Sequence, residues 1–389
     1  MSITMLRKAT SRRFPSSATQ QLDDLLYQIC DKLQLSQTQF KLAEERYKVV
    51  GDWLSKEDSP LYRYLPKIYP QGSLKIGTTV KPKGQVEFDL DLVCELKIDH
   101  RLITPYQLIM QVWDRITSNE TYKSLAELKK RCVRLNYKKE FHLDILPACL
   151  DTEMGGTCIR IPNYNKTNNT WNWAASNPKG YAQWFEDKCK FRLVKEEAIE
   201  GVDPVPEPED VDNKPTLKLA VQLIKRWRDI VFENREDIPS IILTTLIAQL
   251  YRGESSVSDC LTSILYGIVS MISQSPEPLE VPNPTNQEED FAEKWQKDPG
   301  LYESFCLEIS KFKEQWNNML QLKGIDRKAK VLSRLFGEDI VTSVIEEFAQ
   351  RISAYRKDDS LYVSKSSGFL TNNKSSQSIL VRKNTFYGA

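Results

Sequence analysis

The chain has 389 residues, 54 basic and 53 acidic side chains, and a net charge of +1. At roughly 100–200 residues per domain this length predicts two lobes, and the charge balance argues against a nucleic-acid coat protein while leaving room for a local basic groove. Eight scattered cysteines with no CxxC pair and only two histidines argue against a zinc site and against a histidine-based triad. They predict reduced, mostly buried thiols in a cytoplasmic protein. No stretch reads as a membrane span, since the apolar run 241–250 is too short and is followed by Arg252. The first 13 residues carry four arginines and lysines without the apolar run of a secretory signal.

In chain order, residues 1–18 are polar and expected to be flexible. Leu22, Leu25, Leu26, Ile29 and Leu33, then Phe40, Ala43, Tyr47 and Val50, recur at helical spacing and predict one long helix or two. Pro60, Pro66 and Pro70 interrupt the pattern. Strands are predicted over 87–98 and 141–147, with helices over 105–116 and 124–132 between them, a mixture that predicts an α/β lobe. The acidic, proline-rich segment 196–215 reads as a linker or surface excursion. Beyond it Leu217, Ala220, Val221, Ile224, Trp227 and Val231 open a run of helical stripes that continues through 240–251, 257–272, 301–321 and 328–353. Residues 357–389 are polar and expected to be a flexible tail.

The chemistry concentrates in two segments. Gln71-Gly72-Ser73 is a turn suited to phosphates, because glycine lets the backbone approach and the Ser73 hydroxyl can donate. Downstream, Glu87, Asp89 and Asp91 alternate with Phe88, Leu90 and Leu92, so two aspartates share one face of a strand. Adjacent carboxylates repel unless a cation lies between them, and Mg²⁺ prefers one or two carboxylates plus substrate phosphates. Asp144 in Phe141-His142-Leu143-Asp144-Ile145 stands on the polar face of a second strand. Three such carboxylates can hold two Mg²⁺ ions for attack of a ribose hydroxyl on an α-phosphate. Lys218 and Lys225, seven apart on one helix face, are placed to close over a triphosphate from the second lobe. Taken singly, an Asp-x-Asp is ordinarily a solvated face and a Gly-Ser pair a plain turn; their conjunction, in order, predicts metal-dependent nucleotidyl transfer.

These residues resemble the active-site pattern of polymerase-β-like nucleotidyltransferases. Tyr69-Pro70-Gln71-Gly72-Ser73, Phe88-Asp89-Leu90-Asp91-Leu92-Val93, His142-Leu143-Asp144-Ile145-Leu146-Pro147 and Leu223-Ile224-Lys225-Arg226-Trp227-Arg228 are similar to the bacterial cyclic-oligonucleotide synthases. Those enzymes are relatives of cyclic GMP–AMP synthase and oligoadenylate synthetase found in antiphage operons. The resemblance implies an α+β fold: a nucleotidyltransferase core with its long N-terminal helix over 19–210 and a helical lobe over 211–356. It implies Asp89, Asp91 and Asp144 as catalytic ligands of two Mg²⁺ ions, and Gln71, Gly72, Ser73, Lys225 and Ser240 at the triphosphate. The implied substrates are ATP, with GTP or a pyrimidine triphosphate as partners, and the implied product is a cyclic di- or trinucleotide that reaches a separate effector by diffusion. Relatives often carry a base-stacking tyrosine after the serine; here Ile241 follows Ser240, so base choice does not carry over. The end Asn384-Thr385-Phe386-Tyr387-Gly388-Ala389 resembles tails conjugated through their last residue by a ubiquitin-transfer-like E1/E2 partner. A linear nucleotidyltransferase acting on RNA or protein, and a non-catalytic nucleotide-binding scaffold, are the alternatives.

Overall fold

The computed structural model describes residues 17–82, 88–137, 141–189, 202–232 and 238–382. Its first lobe is built on a seven-stranded sheet: β1 (Lys67–Pro70), β2 (Phe88–Asp99), β3 (Ala126–Leu128), β4 (Val133–Tyr137), β5 (Phe141–Leu150), β6 (Ile159–Asn165) and β7 (Thr170–Ser176). The order is β1-β2-β5-β4-β3, with β6 on the end of β5 and β7 on β6. Among the described strands of this sheet only the neighbours β2 and β5 run parallel. A parallel pair needs a crossover, and the helix Pro105–Thr117 with the β3–β4 hairpin supplies it. Leu90, Leu92, Leu143 and Ile145 fill one face and pack against the helices Gln37–Ser55 and Pro105–Thr117. The acids occupy the opposite face, whose own apolar patch of Tyr69, Val93, Leu146 and Ile159 lies further along the strands.

The helical pattern of 19–54 resolves into two helices with different duties. Ala18–Lys32 ends at Leu33, and Ser36 with Gln39 forms a capping box that starts Gln37–Ser55. The second helix packs on the sheet. The first, through Leu22, Leu26 and Ile29, joins the core of the helical lobe, as does Phe185 of the helix Pro178–Lys188. Packing therefore crosses the expected division at residue 210. Two segments N-terminal to it complete the second core.

That core surrounds the helix Thr216–Val231, in which every residue from Leu217 to Arg228 is buried. Trp227 stacks on Phe312 at 5.0 Å, and the helices Ser240–Leu250, Val257–Gln274, Pro299–Leu320 and Ile325–Phe336 wrap around it. Among the described residues no helix is long and apolar enough to cross a membrane. All eight cysteines are free.

Three expectations are corrected or narrowed. Residues 124–132 are not a helix: a single turn ends at Lys123, and Ala126–Leu128 pairs antiparallel with β4 because Val133 and Leu135 offer an alternating partner edge. The segment 196–215 is, where it is described, a surface excursion pinned to the first lobe and not a linker, with Pro204, Glu207, Pro208 and Asp210 exposed. Val202 bridges Ile68 beside β1, Tyr47 donates to the Asp203 carbonyl at 2.7 Å, and Val205 and Val211 are buried. The tail is not flexible through residue 382. Tyr362–Ser364 pairs with Leu370–Thr371 and Ser378–Leu380 in a small sheet, anchored by fully buried Leu361 against Phe348. The segment 384–389 lies outside the described residues, as do most of 1–18.

Candidate active site

β1 delivers the chain into Gln71, after which Gly72 begins a one-turn helix, Gly72–Lys75, with φ of +62°. Only glycine adopts that backbone readily. The Gln71 N–H donates to the Asp91 carbonyl at 3.0 Å, tying the turn to β2. The Thr78 N–H donates to the Ser73 carbonyl at 2.9 Å, and the Ser73 and Thr79 hydroxyls lie 3.2 Å apart.

One helix holds the outgoing strand of this turn. Lys214, just before Thr216–Val231, donates to the Gly77 carbonyl at 3.1 Å, and Lys225 to the Thr78 carbonyl at 3.3 Å and hydroxyl at 3.0 Å. Gln222 donates to the Thr79 carbonyl at 2.7 Å and Arg226 to the Lys81 carbonyl at 2.8 Å. The 77–81 backbone belongs to no helix or strand, so these side chains take the place of ladder partners for its carbonyls. Lys225 is buried, and desolvation, with Arg228 beside it, lowers its ammonium to about 7. Lys218 does not face the cleft as the helical spacing predicts. Its ammonium pairs with Glu186 at 2.8 Å and Glu209 at 2.9 Å, a structural ion network behind Gly77.

The parallel register sets Asp91 beside Asp144 and Asp89 beside His142. Asp89 is exposed, whereas Asp91 is partly covered. The surrounding packing desolvates the Asp91 carboxyl and Asp144 and Asp89 repel its charge, which together raise it to about 8. Arg134, directly cross-strand from Asp144, takes both of its oxygens at 2.7 Å and lies 3.6 Å from Asp89. Among the described residues no group of three acidic, histidine or cysteine side chains is disposed to hold a metal ion. The guanidinium supplies the positive charge beside Asp144 and Asp89. A donor set of three carboxylates that crowd each other to this degree suits a divalent ion.

A cleft of about 360 Å³ gathers the expected residues: Gln71, Gly72, Ser73, Asp89, Asp91, Lys225 and Ser240 all line it. Asp144 does not; it sits one strand over, held by Arg134. At the end away from the acids the wall is made by Tyr181, Ile241 and Phe291 together with Asn283 and Glu289. Tyr181 meets Phe291 edge-on at 5.7 Å. Glu289 accepts from Asn283 at 2.7 Å and from Ser176 at 3.1 Å, and its burial raises its carboxyl. These aromatic and acidic side chains escape a reading based on local spacing, because each comes from a different element. Arg134 does carry a local signal, the alternation of Val133 and Leu135 with Arg134 and Asn136.

The comparisons with known proteins give the family and the fold. Residues 20–189 match the pattern of the Second Messenger Oligonucleotide or Dinucleotide Synthetase domain. A protein of Roseivirga ehrenbergii named c-di-GMP synthase is 35% identical over 378 residues, covering 96% of this chain and 99% of that protein. The cyclic dinucleotide synthase CdnG of Bradyrhizobium diazoefficiens is 24% identical, covering 85% of this chain and 84% of that protein. A solved structure of the Bradyrhizobium CdnG in complex with GTP superimposes with a TM-score of 0.68 over 85% of this chain and 100% of that chain, at 22% identity, which establishes the polymerase-β-like fold. The chain is a bacterial nucleotidyltransferase of the cyclic-oligonucleotide synthase family.

Proposed function

We propose that this protein joins two molecules of GTP, with release of pyrophosphate, into a cyclic dinucleotide of the c-di-GMP class. The observation that carries the chemistry is the apposition of the Gly72-Ser73 turn and the Asp89/Asp91 pair across one cleft, with the Lys225 ammonium at its floor. The choice of guanine is supported by the 35% identical relative, which spans nearly the full length of both chains under the name c-di-GMP synthase.

In this reading Gly72 lets the triphosphate approach the backbone and the Ser73 and Ser240 hydroxyls donate to its oxygens. Lys225, already hydrogen-bonded to Thr78, regains its charge against the phosphates. Asp89, Asp91 and Asp144 would hold two Mg²⁺ ions, which when bound neutralise the triphosphate and lower the pKa of the attacking hydroxyl. The chain's own contribution is positioning: the turn and the helix Thr216–Val231 are fixed to each other, so the donor phosphates are aligned before reaction. Ring closure asks the linear intermediate to return its own triphosphate to the same turn. We extend the reading to a product that reaches an antiphage effector by diffusion, and to conjugation at Ala389, both on sequence resemblance.

The test is incubation of the purified chain with each labelled nucleoside triphosphate and Mg²⁺, followed by phosphatase and chromatography. GTP alone should yield a phosphatase-resistant product, since a ring has no terminal phosphate. A product that requires ATP or a pyrimidine would overturn the base assignment. One that phosphatase degrades would overturn cyclisation.

A further inference from the structure

Four charged residues form one lateral row across the sheet. Asp91 on β2 is in register with Asp144 on β5, Asp144 with Arg134 on β4, and Arg134 with Glu127 on β3. Cross-strand partners project from the same face of a sheet, so the four side chains are neighbours in sequence acid, acid, base, acid. The Arg134 guanidinium engages Asp144 side-on, Nε to Oδ1 and Nη2 to Oδ2, both at 2.7 Å, and Nη2 is 3.6 Å from Asp89 Oδ1. It therefore lies between two carboxylates that a divalent cation would bridge. Its side chain is 23% exposed, leaving a route outward, and Glu127 waits on that outer side, half-exposed and paired with Lys129 at 2.6 Å.

We propose that Arg134 is a two-position counter-ion that competes with the divalent cation: it clamps Asp144 when no cation is present and moves to Glu127 when one binds. This rests on the reading of Asp89, Asp91 and Asp144 as cation ligands. A planar guanidinium and a divalent ion cannot share the space between Asp144 and Asp89, and their mutual repulsion at such distance is large in a partly desolvated cleft. The clamp keeps three crowded carboxylates compatible with an empty site. Its release makes cation affinity depend on whatever else draws the guanidinium away, so the protein alone binds metal weakly and Glu127 sets how weakly. Arg134 acts here through Asp144 and is a positioning residue.

The full-length protein, free of nucleotide, is titrated with Mn²⁺, and free ion is followed by electron paramagnetic resonance. Arg134→Gln should tighten Mn²⁺ binding ~10-fold. Arg134→Lys, which keeps the charge and loses the two-pronged grip, should tighten it less. Glu127→Gln should weaken it ~3-fold, the opposite sign, by removing the second resting place. In the Asp144→Asn background, Arg134→Gln should lose most of its gain. Unchanged or weaker binding by Arg134→Gln, while Asp89→Asn still abolishes binding, overturns the clamp and leaves the site reading intact. If Asp89→Asn binds Mn²⁺ like the wild type, the site reading itself falls. Arg134→Lys tests the same point should the glutamine variant not fold.

Discussion

A methyl group built on Gly72 would lie 2.4 Å from Oδ2 of Asp91. The glycine is thus required twice, once by its positive φ and once by the carboxylate that fills the space of a side chain. Gly72→Ala should lower stability by about 1–2 kcal/mol through the left-handed backbone alone. It should also displace Asp91 and reduce product formation far more than that stability loss explains. Urea unfolding alongside a turnover assay separates the two. An active Gly72→Ala protein would show that the turn does not meet Asp91 during reaction.

Asp89→Asn and Asp91→Asn should each reduce pyrophosphate release by about 10³-fold or more, the scale of losing a cation that stabilises a phosphoryl-type transition state. Circular dichroism and the unfolding midpoint should show an intact fold, since neither side chain supports the apolar core. Retention of a tenth of wild-type turnover would move the cation site elsewhere.

Asp91 also makes stability depend on pH in an unusual direction. Its carboxyl titrates near 8 in the fold and near 3.8 in the unfolded chain. Between those values the native state holds a proton that the unfolded chain has lost, so stability falls as pH rises through this window. In chelator, Asp91→Asn should be more stable than wild type at pH 8.5, by on the order of 3 kcal/mol. The two should converge toward pH 4. Equal pH profiles in urea melts would contradict the crowding of the three acids.

Lys225 runs the other way in binding. Its ammonium titrates near 7 in the empty cleft, and a bound triphosphate restores the charge, so binding above that pH takes up a proton. Affinity for GTP should fall by up to ~10-fold per pH unit above 7. Calorimetry at pH 8 in buffers of different ionisation heat should register the uptake. Lys225→Arg, always charged, should flatten the profile.

Much of this site is legible in the chain because its geometry is local. Period-two alternation places Asp89 and Asp91 on one face, and the same alternation at 141–145 places Asp144, which needs only the parallel register to meet them. Arg134 lies ten residues from Asp144 in sequence and becomes its partner only through antiparallel pairing of β4 with β5. The expected helix over 124–132 hid β3, and β4, whose pairing with β5 makes this contact, is not among the expected strands. Lys218 misleads for a related reason. Helical spacing puts it on a face with Lys225, but Glu209 just upstream of the helix and Glu186 from the helix Pro178–Lys188 claim it. Composition likewise makes the tail look loose, whereas Leu361, with Leu370 and Val381 around it, packs against Phe348 and seats the small terminal sheet.

The far wall of the cleft is assembled from parts that carry none of the acids. Tyr181 comes from the helix Pro178–Lys188, Ile241 from the start of Ser240–Leu250, and Glu289 and Phe291 from a short hairpin and its exit. Tyr181, Ile241 and Phe291 pack with the core of the helical lobe, not with the leucines of β2 and β5. The two sides of the cleft therefore rest on separate hydrophobic cores, so one can be repacked while the acid-bearing sheet stays as it is.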